Sequence, residues 1–287
     1  MFSSIRFKEL LVKYKTNFIE QQWKDEKYKW EAVKCFQDNW NVNDSDFTGM
    51  LERSLGKTNN LLASLSFFPK SMIIAFSQRA PEEVRAMFIA LFDESKDVCE
   101  RIEAFKMQAT VILEKYGNGA AQHYQSENAI TTYLWLRYPD KYYIYKFKDV
   151  KNVADKLESN YTFKRAAYTD NIRNFLRLYD EISQAVKEDT ELVKLFQSQL
   201  TDSCYPDPEF RTLTVDIGFF ISRIERPKQD ERPEPDDDKN GENDSGLFSE
   251  DWFPPLEEYT PGVTKELWLS LLRNKKIFRW YDSFDKQ

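Results

Sequence analysis

The sequence predicts a mainly α-helical, multi-helix globular domain with at most a small β element. Up to about residue 200, apolar residues recur at three- and four-residue spacing, the period of helices that bury one face. Hydrophobic residues make up 41% of the 287 positions, which is enough for a substantial core. Strand-like runs are few, so the remaining segments are expected to connect helices.

The apolar periodicity defines the helices in order along the chain. Pro81 begins one of them, because Glu82 and Glu83 place acids where the positive end of a helix favours them. Two stripes near the N-terminus predict two earlier helices: Phe7, Leu10, Leu11, Tyr14 and Phe18, then Trp30, Val33, Cys35, Phe36 and Trp40. Further helices are predicted over 47–55, 69–78, 96–116, 124–138, 150–158, 169–187 and 191–200.

Two segments have the composition of strands. Residues 142–147 are aromatic and follow the turn at Pro139 and Asp140, which fits a short strand. The segment 138–148, which contains this turn and strand, can be exposed, whereas Tyr133, Leu134 and Leu136 before it are expected in the core. Residues 213–224 are rich in β-branched and aromatic side chains, and this pattern fits either a strand or a short buried helix.

The composition divides the chain into three regions. Residues 1–225 are the predicted helical domain, with 33 acids and 31 bases. Residues 226–251 carry ten acids and four bases and are predicted to form an acidic, flexible linker. Residues 252–287 resume with a short amphipathic helix after Thr264 and are expected to be the truncated start of a further module, because they are too few for their own core.

Compartment is indicated by the cysteines and by the lack of long apolar runs. Cys35, Cys99 and Cys204 form no C-x-x-C pair, which predicts free thiols in a reducing cytoplasm rather than disulfides or a zinc site. No run of about 18 apolar residues occurs, so neither export nor contact with a membrane is expected.

Catalytic patterns are weak, and we expect no enzymatic activity, no catalytic or metal-binding residue and no cofactor. His123 is the only histidine, which leaves no multi-histidine metal site. Gly56 and Lys57 resemble the end of a phosphate-binding loop, but the required glycine is replaced by Leu51. The acids Asp140 and Asp207 lack a following Glu-x-Lys of the kind found in nucleases.

Aromatic and basic side chains alternate over residues 131–148. Such a stretch suits a surface that stacks bases and neutralises phosphates, but the same rings also suit a core, and composition alone favours the core. Downstream, Arg173 and Arg177 share one helix face and are predicted to point to water or to phosphate. The alternative is a solvated face on which Arg177 pairs with Asp180 or Glu181.

Four runs of the sequence resemble the N-terminal region of bacterial McrB-type AAA proteins, the GTP-dependent motor subunits of modification-dependent restriction systems. The runs are HYQSENAITTYLWLRYPDKYYIYKFKDVKNVADKL, YTDNIRNFLRLYDEI, LFQSQLTDSCYPDPEFRTLTVDIGFFISR and YTPGVTKELWLSLL. The resemblance implies a cytoplasmic target-recognition region for phage defence that binds DNA, which can be methylated or otherwise modified. A separate motor module would hydrolyse GTP and recruit an McrC-like nuclease, and this chain lacks the motor motifs.

The resemblance also suggests roles for individual side chains, on the basis of residue type and neighbourhood. Aromatic rings would stack a base, and asparagine amides would contact base edges. The stacking candidates are Trp135, Tyr138, Tyr142, Tyr143 and Tyr145, and the amide candidates are Asn171 and Asn174. The phosphate candidates are Arg137, Lys141, Lys146, Lys164, Arg165, Arg173 and Arg177. The competing hypothesis is a helical protein-interaction scaffold or adaptor in a defence complex.

Overall fold

Helices account for the regular structure of residues 1–63 and 68–224, which are the residues that the computed structural model describes. The mainly α prediction is therefore confirmed for these ranges. The helices are Ser4–Thr16 (α1), Trp23–Glu26 (α2), Tyr28–Asn39 (α3), Phe47–Ser54 (α4), Asn59–Leu62 (α5), Pro69–Arg79 (α6), Pro81–Leu91 (α7), Val98–Tyr116 (α8), Glu127–Arg137 (α9), Phe147–Lys156 (α10), Tyr168–Glu188 (α11), Thr190–Gln197 (α12) and Arg211–Arg223 (α13). A π-helical turn, Phe18–Gln22, separates α1 from α2.

The predicted helices agree with the observed ones to within a few residues at most ends. Residues 213–224, which fitted two alternatives, belong to the buried helix α13. The predicted strand at 142–147 is wrong, because residues 142–146 are irregular and α10 begins at Phe147. The backbone N–H of Tyr145 donates to Thr131 Oγ1 at 3.0 Å instead of to a neighbouring strand. The predicted linker 226–251 and the module 252–287 lie outside the described residues.

Helices α9 and α13 form the centre of the domain. Side chains from Ala129 to Leu136 and from Thr212 to Phe219 are buried on every side of these helices. Helices α3, α5 and α8 pack on α9, and helices α1, α10 and α11 pack on α13. The indole N–H of Trp135 donates to Thr212 Oγ1 at 3.2 Å and joins the two central helices.

Close packing of α11 on α13 requires a glycine. A β-carbon at Gly218 would overlap the hydroxyl of Tyr179, whose ring is fully buried. A glycine inside a helix lowers helix stability by about 1 kcal/mol relative to alanine. The close approach of the two helices explains why α13 keeps it.

A buried charge network ties the N-terminal helices to α13. Lys29 is completely buried and its amine bonds to the carboxylate of Asp216 at 2.5 Å and to that of Glu26. Asp216 also accepts from the Tyr14 hydroxyl at 2.6 Å and from the Gln22 amide. Burial acts to lower the pKa of Lys29, but the charge of Asp216 and the neighbouring Tyr28 and Glu26 raise it above its usual value. The lysine is therefore held in its charged form.

Asp207 supplies the cap at the beginning of α13. Its carboxylate is fully buried and accepts from the backbone N–H of Thr212 at 3.1 Å, from that of Leu213 at 2.8 Å and from the indole of Trp30 at 3.2 Å. Burial nevertheless dominates and raises the pKa of Asp207 to about 6, although these three donors act to lower it.

Replacing Lys29 alone is expected to destabilise the domain strongly. Lys29→Met leaves Asp216 as a buried anion without its cation, which costs on the order of 3–5 kcal/mol. Lys29→Met combined with Asp216→Asn removes the unpaired charge, so the double variant should be more stable than the single one. Urea unfolding followed by circular dichroism measures both. A double variant that is less stable than Lys29→Met would contradict the assignment.

The stability of the domain is expected to depend on pH through Asp207. The pKa of Asp207 is raised from 3.8 to about 6 in the folded protein. The favourable contribution of its protonated form to the free energy of unfolding is therefore complete below pH 3.8 and is lost as the pH rises through 6. The loss amounts to about 3 kcal/mol for a shift of this size. The stability of Asp207→Asn relative to the parent should therefore increase between pH 4 and pH 7.5. A pH-independent difference in urea unfolding would refute this expectation.

Candidate nucleic-acid interface

The aromatic rings predicted to stack bases are mostly buried. Tyr142, Tyr143 and Tyr145 are at most 5% exposed, and Trp135 is fully enclosed. The expectation that the segment 138–148 can be exposed is therefore wrong for residues 142–145, and the core alternative describes these rings. Their hydrophobic area is used in packing, as shown by the contact of the Tyr145 ring with Phe175 at 5.3 Å.

The hydroxyls of Tyr138, Tyr142 and Tyr143 all donate hydrogen bonds to groups of the domain itself. Tyr138 donates to the backbone carbonyl of Phe92 at 2.8 Å. Tyr142 donates to Glu94 at 2.6 Å, and burial together with this carboxylate raises its pKa to about 12. Tyr143 donates to Asp180 at 3.0 Å, and its pKa is also raised, mainly by burial. None of the three hydroxyls is directed at an open surface.

The basic candidates around this stretch are also occupied. Lys141 forms an ion pair with Glu94, and the Arg137 guanidinium lies 4.9 Å from the centre of the Tyr138 ring. The amine of Lys146 lies 5.1 Å from the ring of Phe219 on α13. The structure therefore does not gather this part of the predicted set around one site.

A groove at the beginning of α11 gathers the downstream part of the predicted set. Its volume is about 300 Å³. Three basic side chains line it together with one acid, Asp170. The lining consists of Thr162, Lys164, Ala167, Asp170, Asn171, Arg173, Asn174 and Arg177. Five of the fourteen candidate residues thus meet at one place.

The three cations of the groove are exposed, as the sequence predicted for Arg173 and Arg177. Arg173 has one distant carboxylate neighbour, Asp97 at 3.8 Å, and exposed pairs of this kind contribute little. Lys164 and Arg177 form no ion pair within residues 1–63 and 68–224. The net charge of the lining is positive, so the groove suits an anion.

The alternative pairing of Arg177 with Asp180 or Glu181 is not observed, and both acids have other partners. Asp180 accepts from Arg211 at 2.6 Å as well as from Tyr143. Glu181 accepts from the Tyr161 hydroxyl at 2.8 Å. These contacts leave the guanidinium of Arg177 directed at the groove.

Asn171 fixes the loop that carries Lys164. Its amide oxygen accepts from the backbone N–H of Lys164 at 3.0 Å, and its amide nitrogen donates to the Lys164 carbonyl at 2.7 Å. Asn174 donates to the carbonyl of Thr162 at 3.0 Å. The two amides that were predicted to contact base edges therefore hold the loop against α11. Ala166 in this loop has a φ of 60°, a left-handed conformation that alanine rarely adopts.

The first turn of α11 adds a further positive feature. The residue before it, Ala167, has no side chain that could cap the helix, and the backbone N–H groups of Tyr168 and Thr169 come at the positive end of a 21-residue helix. Ala167 and Asp170 lie in the groove lining, which places this helix end beside the three cations. Backbone N–H groups at such an end bind phosphate in many proteins.

The sequence predicted that the amino end of this helix, at residues 168–170, could present backbone N–H groups to a phosphate, but not that the side chains of Thr162, Ala167 and Asp170 line a groove. An acid such as Asp170 is common in a first helical turn, so its position alone does not indicate ligand contact. Thr162 and Ala167 enter the groove only because the loop folds back on Asn171 and Asn174. Arg165, which was predicted with Lys164, is exposed on the same loop but does not line the groove.

The side chains of His123, Asp140 and Asp207, which were considered for catalysis, make hydrogen bonds within the fold. His123 Nδ1 accepts from the backbone N–H of Gln125 at 2.9 Å, and burial lowers the pKa of this histidine. Asp140 accepts from the Tyr205 hydroxyl at 2.8 Å, and Asp207 caps α13. Within residues 1–63 and 68–224, no three histidine, cysteine, aspartate or glutamate side chains are arranged to hold a metal ion. No helix in the same ranges has the length and apolar character to cross a membrane.

Comparison of the chain with protein-family models, with curated proteins and with solved structures finds no match.

Loss of the Asn171 side chain is expected to loosen the groove loop. Asn171→Ala removes two hydrogen bonds to the Lys164 backbone, which are worth on the order of 1–3 kcal/mol in total. Trypsin should then cleave after Lys164 and Arg165 several times faster under native conditions. Asn174→Ala, which removes one hydrogen bond, is the matched control and should have the smaller effect. Equal cleavage of both variants and the parent would contradict the role of Asn171.

Proposed function

We propose that this chain is a nucleic-acid recognition domain that binds a phosphate backbone in the α11 groove. It would serve as the target-recognition region of an McrB-like restriction motor. The observation that supports this proposal best is the meeting of Lys164, Arg173 and Arg177 around one groove at an uncapped helix end. The resemblance of the sequence to McrB-type N-terminal regions adds independent support.

The groove has the groups that bind phosphate. Arginine guanidinium groups bind phosphate oxygens through two parallel hydrogen bonds, and lysine adds a point charge. The N–H groups of the first α11 turn add uncharged donors. Each phosphate that is neutralised releases counterions, so binding of this kind weakens as salt increases.

The domain as a whole does not oppose such binding. Residues 1–225 carry 33 acids and 31 bases, so the acidic pI of the chain comes mainly from residues 226–251. A nearly neutral domain with one locally basic groove can attract an anion at short range, because salt screens distant charges over about 8–10 Å.

Reading of a modified base belongs to this proposal through the sequence resemblance alone. Tyr142, Tyr143 and Tyr145 would have to leave the core before they could stack a base. Under the proposal this chain has no catalytic role. GTP hydrolysis and recruitment of an McrC-like nuclease would belong to a motor module that these 287 residues lack.

Replacing Arg173 and Arg177 together is expected to weaken DNA binding. Arg173→Ala with Arg177→Ala removes two phosphate contacts, so the slope of log affinity against log salt should decrease by about 2. At about 50 mM salt, affinity for duplex DNA should fall by roughly tenfold or more. Mobility-shift titrations with unmodified, methylated and hydroxymethylated duplexes measure the effect.

The matched control is Lys34→Ala with Arg53→Ala, which removes the same charge from α3 and α4. Lys34 pairs with Asp38, and Arg53 pairs with Asp44. Neither of them lines the groove. An equal loss in this control would mean that the groove has no special role. Undiminished affinity of the Arg173 and Arg177 variant at low salt would exclude the groove from the interface.

The competing function, a protein-interaction scaffold, draws some support from exposed apolar side chains. Met107 and Val111 are 58% and 45% exposed and lie one turn apart on α8. Isolated exposed residues of this kind are common on soluble proteins. Failure to bind all three duplexes, together with a stable protein partner in pull-down, would favour the scaffold over the proposed function.

A further inference from the structure

We propose that the acidic run 229–238 of this same chain occupies the α11 groove and competes there with nucleic acid. The contact between the acidic run and the groove does not depend on the function proposed above. Its role in regulating nucleic-acid binding does rest on that function. Such an intramolecular competitor would make the domain bind only those nucleic acids that displace it.

The charges of the run and the groove are complementary. Residues 229–238 contain six acids and one base, in the order QDERPEPDDD. The groove presents Lys164, Arg173 and Arg177, with Asp170 as the acid in its lining. Guanidinium groups bind carboxylates and phosphates alike through two parallel hydrogen bonds, so a row of acids can occupy the same cations as a phosphate backbone.

The groove has unused capacity for carboxylates. Lys164 and Arg177 have no carboxylate partner among the described residues, and Arg173 has one only at 3.8 Å. The carboxylates nearest in sequence to Arg177 are those of Asp180 and Glu181, and they are engaged by Arg211 and Tyr161. An external anion therefore does not have to displace an existing ion pair at Lys164 or Arg177.

The described chain ends at Ile224, close to the loop that forms the groove. Helix α13 ends at Arg223, and Lys156 donates to the carbonyls of Ile221 at 3.0 Å, of Ser222 at 3.1 Å and of Ile224. Lys156 is also the last residue of α10, six positions before Thr162 in the groove lining. Six residues span at most about 20 Å, so Ile224 lies within reach of the groove for the residues that follow it.

The distance to be covered is well within the reach of the chain. From Ile224 to Asp238 there are 14 residues, which can extend over at most about 50 Å. Tethering at this range gives an effective concentration in the millimolar range, so weak individual ion pairs suffice for substantial occupancy. We expect this occupancy to fall steeply with salt, because each pair is solvent-exposed.

Zero-length carbodiimide cross-linking of the full chain without nucleic acid tests the contact directly. At low salt, Lys164 should cross-link to carboxylates of residues 230–238, and mass spectrometry identifies these products. The yield should fall at about 0.5 M salt, because salt screens the attraction between exposed charges. Arg173→Gln with Arg177→Gln should lower the yield by about fivefold or more, because two of the three cations are removed. Exposed Lys57 is the internal control. A Lys164 yield no higher than that of Lys57 would overturn the proposal.

Two variants of equal net charge test the competition. The first carries Asp236→Asn, Asp237→Asn and Asp238→Asn. The second loses three exposed acids elsewhere on the domain, through Asp25→Asn, Glu103→Gln and Asp202→Asn. The first variant should bind duplex DNA about three- to tenfold more tightly than the second at about 50 mM salt, and the difference should vanish near 0.3 M.

The outcomes separate this inference from the proposed function. Equal affinities of the two variants would overturn the inference and leave the groove as a DNA site. Absence of DNA binding by the parent and both variants would reject the proposed function, and the cross-linking result would then decide alone whether the acidic run occupies the groove.

Discussion

The buried pair of Lys29 and Asp216 is the constraint on which the arrangement of the helices depends. It joins α3 to α13 across 187 positions of sequence, and Tyr14 and Gln22 attach α1 and the π-helical turn to the same carboxylate. Two charges taken out of water must be placed accurately, since their attraction offsets desolvation only in good geometry. The network therefore sets how the N-terminal helices meet α13. Helix α13 in turn packs on α11, whose first turns and preceding loop form the groove.

Most helices could be predicted from the sequence because they bury only one face. The stripe of Phe7, Leu10, Leu11 and Tyr14 is the buried face of α1, and Pro81 begins α7 as expected. Helix α13 was ambiguous because it is buried all round, and burial on every side removes the period that distinguishes a helix from a strand. The aromatic run 142–146 was misinterpreted for a related reason. Its residues have strand-like composition, but their position is set by α11 and by Thr131, which no local pattern reveals.

The candidate site was predictable to the extent that one helix defines it. Arg173 and Arg177 are four residues apart, so their common face follows from helical geometry. The place of Lys164 depends on the side chain of Asn171 seven residues later, and the exposure of the tyrosines depends on distant helices. Base-stacking surfaces and cores use the same aromatic residues, so composition cannot distinguish them before the fold is known.

The left-handed backbone of Ala166 has a consequence for how the groove is maintained. Glycine would adopt this conformation without strain, and alanine does so only under constraint. The constraint comes from Asn171 on α11, so the shape of the loop is imposed by the helix and is not intrinsic to the loop sequence. Fraying of the first turns of α11 would thus release the loop and disperse Lys164 from the two arginines in one step. The groove loop and the first turns of α11 therefore form one cooperative unit, and the loop is ordered only when this end of the helix is folded.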